Sequence, residues 1–385
     1  MGRCGITPQR LVLSASSFAE FLFFVRSESN FNDVWRHRFA VFTAACTLLL
    51  ICVGGLVTSK GVGMAVPDWP TTYGYNMFFF PISRWWGVGG IHDEHLHRLV
   101  ASSVGFLVIL LAVWTAFKEQ RQWVRGLAWV ALALVLLQGL LGGLRVILNG
   151  SGFLGTTAGM VFGMCHAALA QIFFSVVGAI AFFTSKTWSH LRPGQMLPAL
   201  VNVPGRTAAI TLLILGQLLI AAAIRHQHAP LAIPDFPLAY GHFYPPTDPD
   251  FLMSVNQRRM NVVLDSDVTA FQIHLQMAHR FMAALILGSV LTVGWQLIQG
   301  GGLLARFGAV WSGLILIQVG LGAATIWTNK SVDIATAHVA GGALSLLTGV
   351  LLAAATRRMR GPAPAPGVAR SAEVLRVRTA HSLGG

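Results

Sequence analysis

The chain has 385 residues, of which 54% are hydrophobic and only 11% charged. A soluble domain carries about 25% charged residues, so this composition excludes a water-soluble globule. The formal net charge of +13 does not point to nucleic acid, because the basic residues are distributed by alternate loops instead of gathering in one patch.

In chain order, residues 1–38 lack the layout of a cleavable signal. Their apolar run at 21–25 is short and flanked by charge, which suits an interfacial helix or an extension from an upstream start codon on a cytoplasmic segment. Eight apolar blocks follow, at 39–59, 99–117, 127–148, 157–183, 207–224, 271–298, 307–327 and 335–356. Each approximates the roughly 20 residues that cross a bilayer. Most Lys and Arg fall in the N-terminal segment, after the second, fourth and sixth blocks, and in the tail, among them Arg36, Arg38, Lys118, Arg121, Lys186, Arg192, Arg357, Arg358 and Arg360. Asp68, Asp235, Asp248, Asp250, Asp265 and Asp267 fall on the other side. This asymmetry predicts a multi-pass protein of the cell (inner) membrane with both termini cytoplasmic. The linker 186–206 and the tail 357–385 are then cytoplasmic, the tail disordered from its Pro- and Ala-rich start at Gly361. Cys4, Cys46, Cys52 and Cys165 lie outside the outer loops, so no disulfide is expected, and they form no metal-binding pattern.

The chain repeats itself. Pro67-Asp68-Trp69-Pro70 with Tyr73-Gly74 recurs as Pro234-Asp235-Phe236-Pro237 with Tyr240-Gly241; His97-Arg98 recurs as His279-Arg280; Gln138 and Gly142 recur as Gln318 and Gly322; His166 recurs as His338. Each half has an even number of spans, so both enter from the same side, as in parallel repeats. The expected fold is all-α and polytopic: eight transmembrane helices forming two pseudo-twofold-related four-helix bundles, 39–185 and 207–356.

His97, His166, His279 and His338 fall at similar depth, towards the outer face. A pair from neighbouring helices of one bundle suits bis-imidazole ligation of a haem iron. A proton relay would need acidic partners through the whole depth, and the inner halves have none. Arg98 and Arg280 stand beside their histidines, placed either to pair with outward propionates or to snorkel to the interface. Gly139, Gly142, Gly143, Gly320 and Gly322 read as packing positions that also make room for a large ring. One helical turn before His97 stands Glu94, and one turn before His279 stands Gln276, so only the first site carries a carboxylate. One reactive and one relay site would need that contrast. His92, His95 and His274 read as solvated or loop residues, and His226 and His228 as residues of the outer loop 225–270 that could touch a partner or a metal. Trp69, Phe78, Phe79, Phe80, Trp85 and Trp86 give the first outer loop an aromatic surface, either a cover for a pocket or an interfacial belt.

Glu94-His95-Leu96-His97-Arg98 resembles the Glu-x-x-His-Arg signature of haem A synthases, and Gly54 to Thr58 through Pro67 to Gly74 resembles that family's first outer segment. The resemblance covers about residues 39–356. It implies oxidation of a ring methyl of haem O to a formyl group by successive hydroxylations, giving haem A for terminal oxidases. His279 and His338, with Arg280, would hold a resident haem b; His97 and His166, with Arg98, would hold the substrate haem O. Glu94 would act at the reacting methyl, by stabilising positive charge or by activating water. The implied partners are a haem O synthase, a membrane electron donor or acceptor and oxidase assembly factors; a homo-oligomer is compatible, and nucleic acid is not involved. Some members carry a cysteine pair in the first outer loop; this chain has none there. Two other readings stay open, a b-type cytochrome for quinol-linked electron transfer and a haem transporter or chaperone.

Overall fold

The computed structural model describes residues 34–86, 89–150, 155–227, 229–260 and 267–361. The segment at 21–25, the tail beyond Gly361, Cys4, His228 and Asp265 lie outside the described residues. Cys46, Cys52 and Cys165 are free thiols.

The apolar blocks form eight long helices: α1 (Val34–Ser59), α2 (Ile91–Lys118), α3 (Gln122–Gly150), α4 (Gly155–Phe183), α5 (Val203–His226), α6 (Ala270–Gly300), α7 (Gly302–Trp327) and α8 (Val332–Arg360). All eight are long and apolar enough to cross a membrane, and the chain is a multi-pass membrane protein. The helices outrun the apolar blocks because polar residues finish them. Thr269 and Gln272 close α6 with a reciprocal capping box, which satisfies N–H groups the helix itself leaves open. Between α6 and α7 the chain turns on Gly301 and Gly302, at φ 74° and 64°, a left-handed conformation that glycine adopts without steric cost.

α1 packs on α2 and α4, and α3 on α2 and α4, closing a ring of four; α5 packs on α6 and α8, and α7 on α6 and α8, closing a second. The rings meet through α1–α8, α4–α5 and α4–α8. Exchanging the halves maps the first two contacts onto each other and the third onto itself, which is the pattern of a pseudo-twofold. Accordingly α4 and α8 are the most enclosed helices.

The long connections, 60–90 and 227–269, lie at one common end, the loop end; the second carries a helix of its own, Pro249–Met260. Each bundle has an apolar core at the opposite end. In the first it includes Val104, Leu111, Phe173 and Ile180; in the second, Ile214, Val290, Trp311 and Leu352. Lipid tails are as apolar as these side chains, so close packing holds the helices together more than solvent exclusion does. At α6–α7 the approach is so close that a Cβ on Gly308 would lie 2.8 Å from the Gly294 carbonyl oxygen.

Candidate functional site

The four histidines sit in the loop-end halves of the bundles, beyond these cores. His97 comes from α2 and His166 from α4, close enough to interact electrostatically. His279 from α6 and His338 from α8 form the matching pair. The imidazoles are enclosed by the helices, yet each residue keeps an intermediate accessible surface.

Glycines fit the rings into place. A Cβ would lie 3.0 Å from His97 Cε1 if built on Gly54, 3.2 Å from His166 Cε1 on Gly142, and 3.1 Å from His338 Cε1 on Gly322. The backbone is held too. Gln138 Nε2 donates to the His166 carbonyl (3.0 Å) and Gln318 Nε2 to that of His338 (2.8 Å), while Gln217 Nε2 donates to that of His279 (2.9 Å). His166 Nδ1 lies 3.1 Å from the Gln138 carbonyl oxygen. The Nδ1 atoms of His97, His279 and His338 are buried without a partner, and no hydrogen bond joins the Nε2 of any of the four among the described residues. A porphyrin supplies four nitrogens to iron and leaves two axial positions, so each pair of imidazoles, with its Nε2 atoms unengaged among the described residues, fits a haem.

The loop end is built twice from the same parts. Asp68 accepts from Tyr73 N (2.7 Å), Gly74 N (2.8 Å) and Thr71 Oγ1 (2.5 Å). Burial raises its pKa, but these hydrogen bonds outweigh burial and hold the carboxyl below its ordinary value. Asp235 accepts from Tyr240 N and Gly241 N in the same way. Tyr73 Oη donates to Ala65 O, and Tyr240 Oη to Ala232 O. Both turns contain a cis proline, Pro70 and Pro237. Trp69 lies against α3 where Gly143 leaves space; a Cβ there would fall 2.3 Å from the indole.

Arg98 and Arg280 clasp these turns. Arg98 Nη1 donates to the carbonyls of Asp68 (2.7 Å) and Thr71 (3.1 Å), and Nη2 to that of Val66 (3.0 Å) and to Glu94 Oε1 (2.8 Å). Arg280 donates to the matched carbonyls of Asp235 and Leu238 and stacks over Phe236. All four Nη donors of Arg98 are committed to protein, and Arg280 makes two of the matched contacts.

Glu94 is 4% exposed. Gly90, at φ 92°, starts α2, and the acidic first turn suits the positive end of the helix dipole. Besides Arg98, Glu94 takes the Val66 N–H on Oε2 at 2.9 Å. Its counterpart Gln276 donates instead, to Ala229 O (2.8 Å) and Pro230 O (2.5 Å).

His95 was expected to be solvated; it is 1% exposed, packed against Phe80 and Trp85, with Nδ1 at 3.3 Å from Thr72 Oγ1. His92 stacks on Trp86. The aromatic loop is thus divided: Phe80 and Trp85 turn inward, whereas Phe78, Phe79 and Trp86 are 64%, 80% and 74% exposed. His274 is exposed and bonds Tyr244 Oη. His226 ends α5 and packs on Gly163 of α4.

Two further residues escaped the sequence reading. Arg145 on α3 lies in the electrostatic field shared by His97, His166, Glu94 and Arg225. Arg225 crosses from the second bundle to the first, donating to Gly55 O (2.6 Å) and Ser59 Oγ (2.8 Å). Aligning the halves would have singled out Arg145, because Thr325 stands at the matched position.

The family described as cytochrome oxidase assembly protein, COX15-CtaA, matches residues 91–350. Among similar proteins, the heme A synthase of Shouchella clausii is 28% identical over 216 residues, 54% of this chain and 65% of its own length. That of Geobacillus kaustophilus is 26% identical over 341 residues, 85% of this chain and 93% of its own. That of Listeria monocytogenes serovar 1/2a is 22% identical over 317 residues, 80% of this chain and 90% of its own. With a histidine pair in each of two repeated bundles, and a family match spanning both, the chain belongs to the COX15-CtaA family of cytochrome oxidase assembly proteins.

Proposed function

We propose that the chain is a haem A synthase that oxidises a ring methyl of haem O to a formyl group by successive hydroxylations. The observation that carries this reading is the inequality of two otherwise matched sites: a histidine pair in each bundle, with a carboxylate one turn from the ligand in the first only. His97 and His166 hold the substrate porphyrin. His279 and His338 hold a resident haem b, which supplies a one-electron relay. The halves 39–185 and 207–356 are then the substrate and relay halves.

Glu94 carries the chemistry. Arg98 and the Val66 N–H fix its two oxygens, so the carboxylate needs no reorganisation to act on charge developing at the neighbouring methyl. Alternatively it takes a proton from a water that attacks there. Gln276 can do neither. A haem O synthase in the same membrane supplies the substrate, a membrane carrier exchanges the electrons, and the product passes to terminal oxidase assembly. The membrane is the cell (inner) membrane, with the loop end outside and both termini cytoplasmic.

The test is the haem content of cells that make haem O, extracted with and without this chain. Haem A only when the chain is present supports the proposal; haem O alone in both sinks it. One observation favours a second reading, a b-type cytochrome that only moves electrons: Glu94 and Gln276 both tether the loop end of their own half, a task that needs no reaction. The same extraction separates the two.

A further inference from the structure

Among the described residues around the first histidine pair, Arg98, Arg145 and Arg225 face one buried acid, Glu94. Glu94 is the acid beside the first histidine pair, and its oxygens are already taken by Arg98 and the Val66 N–H. Arg145 enters the same region from α3. Its guanidinium is flanked by Gly63 of the first long loop and Gly163 of α4, where a built Cβ would lie 3.6 Å from Nη2 and 3.3 Å from Nε respectively. Arg145 makes no hydrogen bond or ion pair among the described residues. Arg225 adds a second positive charge within electrostatic range, spending one nitrogen on Gly55 O and Ser59 Oγ.

An enclosed guanidinium without an anion is costly, since desolvation is not repaid by a partner. Charges retained at such depth mark binding positions. The second half has no equivalent: at the position of Arg145 stands Thr325, whose hydroxyl is spent on the Leu321 carbonyl of its own helix (2.8 Å). Whatever anion Arg145 awaits therefore belongs to the first half alone.

We propose that Arg145 is the carboxylate-binding residue of the first site, pairing with a propionate of the porphyrin held by His97 and His166, with Arg225 strengthening the local positive field. The inference rests on the reading of that half as the substrate haem site and adds to it the group that sets which way round the ring sits. A planar guanidinium binds a carboxylate through two parallel hydrogen bonds, which fixes orientation as well as affinity. Arg98, beside the ligand, is unavailable because the loop turn occupies it; Arg145, remote in sequence, donates no hydrogen bond among the described residues.

The test uses the purified full-length protein and two probes, ferric haem b and its dimethyl ester, which lacks both carboxylates. Titrations are followed by the Soret band, and the component lost in His97→Ala identifies the first site. Wild-type protein should bind the free acid more tightly than the ester by about tenfold to a hundredfold, the ratio typical of hydrogen bonds to a charged group. Arg145→Gln should bring that ratio close to unity while leaving ester binding unchanged. If Arg145→Gln does not fold, Arg145→Lys decides: the ratio should fall several-fold as a two-point contact becomes one. An unchanged ratio in either variant overturns the proposal, and so does an equal weakening of both probes, which would make Arg145 a packing residue. Absence of any His97-dependent binding in the wild-type protein would overturn the haem-site reading itself and the proposal with it.

Discussion

Glu94 and Arg98 face each other one turn apart on α2, Oε1 to Nη2 at 2.8 Å, and the same guanidinium holds the carbonyls of Val66, Asp68 and Thr71. Arg280 repeats the clasp on Asp235 and Leu238, but one turn before it stands Gln276, an amide. The clasp is common to both halves and the carboxylate is not, so the two contributions of Glu94, tethering the loop and placing a negative charge, are separable.

Glu94→Gln separates them. The amide oxygen can still accept the Val66 N–H, and volume is nearly unchanged, so loop and helix should survive. Only the charge beside Arg98 is lost. Haem A formation should fall by about 10²–10³, with haem O or a partly oxidised haem accumulating in extracts, while haem b content stays normal. Near-normal haem A from this variant would remove Glu94 from the chemistry.

On the proposed assignment of haem b to the second half, His279→Ala or His338→Ala should each abolish its low-spin reduced band in purified protein, because one of two imidazole ligands is lost. The packing around His338 gives a second readout. Gly322→Val places branched carbon against the His338 ring, whose Cε1 lies 3.1 Å from even a single Cβ, and should lower haem b content without replacing a ligand. Normal spectra from both histidine variants would show that the second half does not hold haem b through this pair.

Sidedness follows from charge. With the loop end outside, a reporter fused after Pro245, within the second long loop, and one fused after Arg360, at the end of α8, should report opposite compartments. Equal sidedness would contradict an eight-span topology.

Much of this was legible in the sequence because the signals are local or repeated. A run of apolar residues announces a span whatever surrounds it, and four histidines recurring in order reveal their pairing. What escaped depends on loops folding back. Arg98 beside His97 looks free until Val66, Asp68 and Thr71, some thirty residues earlier, present their carbonyls to it. His95 looks solvated until Phe80 and Trp85 cover it. Arg145 resembles an ordinary helix-end cation, and only its placement beside Glu94 and the histidine pair distinguishes it.

The opposite end of the molecule supplies a pH-dependent test of the fold. Glu119 ends α2, 6% exposed, and accepts Arg36 Nη2 of α1 at 3.0 Å and Arg121 Nη2 at 2.8 Å, while Arg121 also reaches the Phe183 carbonyl of α4. Burial raises the Glu119 pKa, but hydrogen bonds from Arg121 and the charges of Arg121 and Arg36 outweigh it and leave the carboxyl below its ordinary value. A folded-state pKa below the unfolded one, about 4.3, means that the unfolded chain binds more protons in between. The stabilisation is therefore complete above the unfolded value and is lost as pH falls through the folded one. Wild-type protein in detergent should melt at a nearly constant temperature from neutral pH to about 5 and then lose stability in acid, in part through this group. Glu119→Gln removes the carboxylate from this buried cluster, and breaking a buried ion pair typically costs about 3–5 kcal/mol. Its melting temperature should be lower throughout the neutral range, and its acid decline shallower than the wild type's. Coincident melting curves at neutral pH, or parallel declines below pH 5, would show that the Arg36–Glu119–Arg121 cluster does not secure α1, α2 and α4 to one another.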